Sequence, residues 1–298
     1  MSKIAMPEKK LLRFKNKGAN KKKTLNKTKR GIIQILMTLV AVLFATPILT
    51  IINYSFKTTR ELYLSSPLAL PQSPNFANYI SAFRKLDLHV TFTNTFFYTF
   101  VSVAVLALLC GAAAWAIARN KSKIFQGFYI YFLLGIFIPY QSLFLSIYIV
   151  GFKTGLVNTR MGLILMYIAT GMSFGVFLMT SFMSTVPLEL EEAAKIDGCS
   201  VYRTYFCIVL PLLKPAIATL TILQAFQIWN DYLMASLFIS SQKLRTITLA
   251  MQLLFSHQAS DYTTAMAAII ISVLPVTILF VSLQKYFVQG MTAGALKS

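Results

Sequence analysis

Acidic side chains are scarce in this sequence: Asp and Glu together number 9 among 298 residues, against 28 Lys and Arg, for a net charge of +19. A carrier driven by an ion gradient needs paired acids buried in several spans and an inverted repeat. Here only Asp231 stands inside an apolar run, and no internal repeat is visible. Histidine occurs twice, as His89 and His257, at or outside the ends of those runs, so no Ser/His/Asp or metal-ligand constellation marks an intramembrane enzyme. The three cysteines, Cys110, Cys199 and Cys207, have neither metal-ligand spacing nor the pairing of an oxidising compartment. No glycine is followed by lysine, which removes the phosphate-binding P-loop. Cofactor, metal and catalytic residues are therefore not expected on this chain.

Charge is also missing in blocks. No Asp, Glu, Lys or Arg occurs in 31–56, 88–118, 124–152, 161–188, 215–230 or 262–284, and 56% of the chain is hydrophobic, with a mean hydropathy of +0.66. About 20 apolar residues at roughly 1.5 Å each cross a hydrocarbon core. Five gaps meet that length, and the sixth does so if Asp231 is tolerated within it. The apolar runs are continuous rather than alternating, which excludes a membrane barrel. The expectation is an all-α membrane protein of six spans near 31–53, 94–118, 125–150, 161–184, 215–238 and 264–286.

The positive charge is unevenly placed. Residues 1–30 hold twelve Lys or Arg against Glu8 alone. This segment lacks the apolar residues of a core and is expected to be a disordered tail. Its place before the first apolar run fits anionic lipid and the positive-inside rule better than nucleic acid. A cytoplasmic amino terminus puts twenty Lys and Arg inside and eight outside; without the tail the two sides are level. Six spans then leave both termini, and residues 187–213, in the cytoplasm. The first run is too long, and its basic flank too extended, for a cleaved signal peptide.

Within the runs, Pro139 and Pro275 are mid-span, where proline frees a carbonyl and kinks a helix, whether neighbouring helices absorb the kink or it gates. Gly171 and Gly175 form a small-xxx-small pair that permits close helix packing. The first external loop, about 54–93, has room for one or two short surface helices, and 239–263 is read as a loop.

Four of the nine carboxylates, Glu189, Glu191, Glu192 and Asp197, crowd into the connection between spans four and five. Thr185 is positioned to cap a helix with Pro187 and acids in its first turns, where orphan N–H groups and the positive dipole end suit them. Glu191 and Lys195 are spaced for an i, i+4 pair. Gly198 suits a left-handed stop, and Ser200 suits the cap of a second short helix. Ala193 and Ala194 beside Leu190 make a low-relief face. A membrane-surface helix would carry Lys and Arg instead, so the insert is read as a surface for docking a soluble protein.

Glu192-Ala193-Ala194, then Gly198, then Ile208, Leu210 and Pro211, match at every position the pattern Glu-Ala-Ala-x3-Gly-x9-Ile-x-Leu-Pro. In this the chain resembles the transmembrane subunits of type I ABC importers, and the six-span layout with the motif between spans four and five agrees. Trp229-Asn230-Asp231-Tyr232, with Arg245-Thr246 and Leu249, looks like the fifth-span region of carbohydrate permeases. Tyr286-Phe287-Val288-Gln289-Gly290-Met291-Thr292-Ala293-Gly294-Ala295-Leu296-Lys297 is similar to the carboxyl end of the second, shorter subunit of maltose-type importers. The resemblance implies a permease domain over 31–298 that forms half of a sugar pathway in a cell membrane. It also implies a coupling helix, with Glu192, Ala193, Ala194, Asp197, Gly198, Ile208, Leu210 and Pro211 at or near the ATPase. The implied partners are a second permease subunit, two copies of a cytoplasmic ATPase that uses ATP and Mg, and an extracellular or periplasmic solute-binding protein. Asn230 and Asp231, as polar groups at membrane depth, are candidates for the translocation pathway, with an interhelical hydrogen-bond clamp as the competing role. An importer of the same type for a non-sugar solute is the alternative, and a stand-alone carrier the remoter one.

Overall fold

In the computed structural model, which describes residues 8–257 and 261–295 and the side chains of 29–252 and 261–284, every regular element is helical. The first helix, α1 (Glu8–Ser55), begins inside the basic segment expected to lack regular structure. Lys, Leu and Arg have high helix propensity, and the segment is continuous with the apolar run that follows, so the helix extends back from that run. Its apolar part, Lys29–Ser55, packs on the last helix of the chain but leaves most of its side chains exposed, with Ser55 buried at its end. Two short helices follow, α2 (Thr59–Leu64) and α3 (Ala77–Lys85), in the loop where the sequence left room for them. Thr58 and Glu61 cap α2 reciprocally. The loop is pinned by Lys57, which is fully buried and donates to Ser65 Oγ at 2.9 Å and the Ser66 carbonyl at 3.0 Å.

The core is the pairing of α4 (Leu88–Arg119) with α7 (Arg160–Met183). The Gly171 and Gly175 pair makes it possible. A Cβ at Gly171 would lie 2.7 Å from Leu106 Cδ1, and one at Gly175 would overlap Cys110 Sγ. The third apolar run is not one straight span. Helix α5 (Lys123–Phe137) stops, a 3-10 turn covers Tyr140–Leu143, and α6 (Phe144–Lys153) leaves at 92°. Ile138, held extended before Pro139, explains the break, because the proline ring excludes its predecessor from the helical region.

After α7 come α8 (Glu189–Ile196), α9 (Val201–Thr204), a π turn over Tyr205–Val209 and α10 (Leu210–Leu212). Helix α11 (Lys214–Trp229) ends short of the expected 238, and α12 (Leu233–Phe238) resumes after Asn230–Tyr232. The Asp231 carboxylate accepts the N–H groups of Met234 at 3.3 Å and Ala235 at 3.0 Å. Such local side-chain acceptors compete with the helix and break it. The segment 239–263, read as a loop, contains a further helix, α13 (Ile247–His257), seated on α4 by the bond from the Ile247 N–H to Thr95 Oγ1 at 2.9 Å. Its first-turn Ile247 is fully buried. The last helix, α14 (Tyr262–Ala295), runs unbroken through Pro275.

Among the described residues, four helices are long and apolar enough to cross a membrane: Lys29–Ser55, Leu88–Arg119, Arg160–Met183 and Tyr262–Gln284. Six is reached when each of two bent pairs counts as one span. These are Lys123–Phe137 with Tyr140–Lys153, and Val201–Leu212 with Lys214–Trp229, the second bent by 72°.

Candidate functional site: the acidic insert and a polar face at membrane depth

The insert is a folded unit attached to the end of α4. Helix α8 begins after Leu188 with no side-chain cap. Thr185, expected to cap it, instead donates to the Phe182 carbonyl at 2.8 Å, because Pro187 and Leu188 separate it from the first helical turn. Glu189, Glu191 and Glu192 occupy the first turn, at the positive end of the helix dipole. The far end closes as expected. Gly198 has φ +76°, the Cys199 N–H donates to the Ala194 carbonyl at 2.9 Å, and the Gly198 N–H donates to the Lys195 carbonyl at 3.1 Å. This is the Schellman arrangement, which uses a left-handed residue to satisfy the last carbonyls. Ser200 then caps α9 by accepting the Arg203 N–H at 3.3 Å.

The side chains of the Glu-Ala-Ala pattern divide between two faces. Glu192, Ala193, Asp197 and Gly198 are exposed, together with Leu190 and with Ile196, which is 86% exposed. Ala194 is buried within the chain, so the low-relief face is made by Ala193 and its apolar neighbours without it. Glu191 does not pair with Lys195. It turns inward, accepting from Trp115 Nε1 and from Arg119 Nε, each at 2.8 Å. Arg119 also donates to the Val186 carbonyl at 2.8 Å.

The second half of the pattern anchors the insert to the bundle. Leu210 packs against the cluster of Met183, Val186, Tyr205, Val209 and Leu213, Ile208 is half-buried, and Pro211 is exposed at the start of α10. Tyr205, in the π turn, stacks on Trp115 at 5.4 Å between ring centroids and donates to the Leu108 carbonyl at 3.3 Å. Neither Tyr205 nor Arg119 was singled out in the sequence as part of this unit. The available signal was a charged residue at the last turn of an apolar helix, which also fits a membrane-boundary residue.

At membrane depth, Asn230 and Asp231 do not act together. Asn230 is exposed and donates to the Phe226 carbonyl of its own helix at 2.8 Å. Asp231 is half-buried, accepts the Tyr167 hydroxyl at 2.9 Å across to α7, and its carbonyl accepts Thr248 Oγ1 at 2.6 Å. That geometry is a clamp joining α7, the α11–α12 break and α13. Around it, Tyr140, Thr170, Gln224 and Gln227 complete a polar cluster lining a cavity of 10 Å³, about the room of one water. A larger groove of 530 Å³ runs between α4, α11 and α14, lined by Phe96, Phe100, Ile217, Trp229, Pro275 and Leu279.

A bundle of long apolar helices, broken at Pro139 and at Asp231 and carrying a folded acidic insert between its fourth and fifth apolar runs, defines a multi-pass membrane protein. Residues 110–293 match the family described as binding-protein-dependent transport system inner membrane component, and the chain belongs to that family. It is 36% identical over 266 residues to the probable starch degradation products transport system permease protein AmyC of Thermoanaerobacterium thermosulfurigenes, covering 89% of this chain and 96% of that one. It is 34% identical over 267 residues to the melibiose/raffinose/stachyose import permease protein MelC of Bacillus subtilis, with coverage of 89% and 96%. A chain of a bacterial ABC transporter involved in the import of the acidic polysaccharide alginate has the same fold, with a TM-score of 0.75 at 24% identity over 86% of this chain and 96% of that one.

Proposed function

We propose that this chain is the permease subunit of an ATP-driven sugar importer, contributing half of a translocation pathway and drawing its energy from a separate ATPase through α8. The carrying observation is the outward face of α8, where exposed Leu190, Ala193 and Ile196 lie beside exposed Glu192 and Asp197. Apolar side chains this exposed at a helix end held off the bundle fit a protein groove, and the acids among them disfavour an anionic membrane surface. In this reading Glu192, Ala193, Asp197 and Gly198 face the ATPase, which uses MgATP. Ala194, Ile208, Leu210 and Pro211 hold the insert in shape behind them. The amino and carboxyl termini share the cytoplasmic side with α8.

The sugar assignment rests on the named substrates of the two relatives. Half of a pathway implies a second permease, and import implies a solute-binding protein that delivers the sugar. Reconstitution of the purified assembly into vesicles tests this. Uptake of radiolabelled raffinose or maltotriose that requires MgATP on the α8 side supports the proposal. Equal uptake driven by a proton or sodium gradient, without ATP, contradicts it.

A further inference from the structure

Glu191 and Glu192 are neighbours with opposite surroundings, because one residue rotates a helix by about 100°. The Glu191 side chain is 10% exposed, and that of Arg119, its ion-pair partner at 2.8 Å, is 21% exposed. Its two carboxylate oxygens are held by two donors from different side chains of α4, Trp115 and Arg119. The plane of the carboxylate is thereby fixed as well as its distance. Tyr205 reaches the same face of α4 from the other limb of the insert, stacked on Trp115 and seated over Gly111, where a Cβ would come within 2.7 Å of its hydroxyl. Leu108, Gly111, Trp115 and Arg119 follow one another at three- and four-residue steps, so they form one stripe that receives the insert.

Helix α7 is joined to α8 through the chain itself, by the five residues of 184–188. Helix α4 has no such covalent link; Tyr205 and Val186 tie it to the flanks of the insert, and among the described residues its hydrogen bonds to α8 itself are those of the Glu191 carboxylate. We propose that Glu191 is a positioning residue that makes α8 and the insert end of α4 one rigid body, so that displacement of α8 is delivered directly to α4. The inference rests on the proposed docking of α8 on the ATPase. It adds that the two adjacent glutamates divide the work, Glu192 facing the partner and Glu191 facing the membrane helices. A half-buried ion pair with both oxygens bound suits this task, since parting the charges leaves each without compensation.

The test uses the assembled transporter with its ATPase, in lipid, and needs no knowledge of the solute. Spin labels are placed at the native Cys199, just after α8, and at Asn120→Cys, the exposed residue ending α4, with the exposed Cys207→Ser; Cys110 is buried and stays unlabelled. The distance distribution between the labels is expected to be the same without nucleotide and with trapped MgATP. In Glu191→Ala it is expected to broaden and to differ between the two states, with the ATPase still bound and uptake of labelled raffinose lowered roughly tenfold or more. Glu191→Gln keeps an acceptor for Trp115 and should show the same change in smaller degree. The exchange Glu191→Arg with Arg119→Glu should recover uptake relative to either single change.

A distance that shifts with nucleotide in the native protein overturns the proposal without any variant. So does a double exchange no better than the poorer single, or Glu191→Ala with native uptake. Loss of the ATPase from Glu191→Ala would make Glu191 a docking residue and would also overturn it. The docking of α8 fails by a separate outcome, retention of the ATPase by Glu192→Lys.

Discussion

Gly198 isolates the cost of backbone conformation. Its φ of +76° lies in the left-handed region, and a Cβ built there meets no atom within 4 Å. A substitution is therefore penalised by its backbone alone, by about 1–2 kcal/mol for a branched side chain. Gly198→Val should leave the protein in the membrane and lower sugar uptake severalfold, whereas Gly198→Asn, which tolerates this region, should keep most of it. Uptake and membrane level measured together separate the two, and equal uptake for both variants would show that the turn has no part in transport. This position was legible in the sequence, because a glycine after an amphipathic acidic helix has a local reason. Glu191 was not. Its spacing to Lys195 gave a local partner, and the stronger partner, Arg119, is remote in sequence and supplied only by the packing of the insert on α4.

At the scale of elements, absence of charge marked the runs, while the points where they break depended on which local effect prevails. Pro139 ends α5, yet α14 continues through Pro275. The first is followed by a 3-10 turn that redirects the chain; the second lies inside a helix supported on α11 and α1. Asp231 was visible as an anomaly in an apolar run, but its use as an acceptor for two N–H groups of α12 and for Tyr167 needed the three-dimensional arrangement. The pairing of α4 with α7 gives a prediction with a built-in rescue. Gly175→Ala places a methyl group against Cys110 Sγ, an overpacking that costs typically 1–3 kcal/mol. The loss of thermal stability in detergent should be largely reversed by Cys110→Ala, since the sulfur is the obstructing atom and the next contact, Cys110 Cβ, is at 3.3 Å. A double variant as unstable as Gly175→Ala would show that the helix backbones themselves cannot approach.

Beside the apolar cluster that joins α3 to α14 through Ala82, Ala265 and Ala268, one contact is electrostatic and titrates. Burial pushes the Asp261 carboxyl up, but the Lys85 ammonium at 2.6 Å and the Thr264 hydrogen bonds outweigh it and hold the group below its ordinary value of 3.8. A carboxylate with a lowered folded value stabilises the protein above the unfolded value and loses that contribution as pH falls through the folded one. Asp261→Asn should therefore be less stable near neutral pH, by a few tenths to about 1 kcal/mol given the partial exposure of the pair. The difference should shrink once pH drops below 3.8. Unfolding curves of both proteins across that range decide it, and a difference that persists in acid would assign the effect to the cap of α14 rather than to charge.

For the whole molecule, the distribution of exposed surface states the account in one view. Among the described residues, α1 is largely exposed along its apolar length although it packs on α14, the α4–α11–α14 groove is open, and the outward face of α8 is uncovered. Each is intelligible in a subunit of a larger assembly. The apolar runs and the acidic insert could be read from the sequence, because charge and its absence are local facts. The division of the insert into an outward face at Glu192 and an inward one at Glu191 could not. The central claim is that Glu192 and the surface around it receive an ATPase, and the most direct measurement is recovery of that ATPase with the permease from detergent-solubilised membranes. Loss of a charged partner at such a contact typically costs about 2–5 kcal/mol. Glu192→Lys should therefore reduce the ATPase recovered by well over tenfold relative to Arg60→Ala, an exposed change in α2 remote from α8. If Glu192→Lys retains the ATPase and MgATP-driven uptake at the Arg60→Ala level, the insert is not the coupling surface and the account fails.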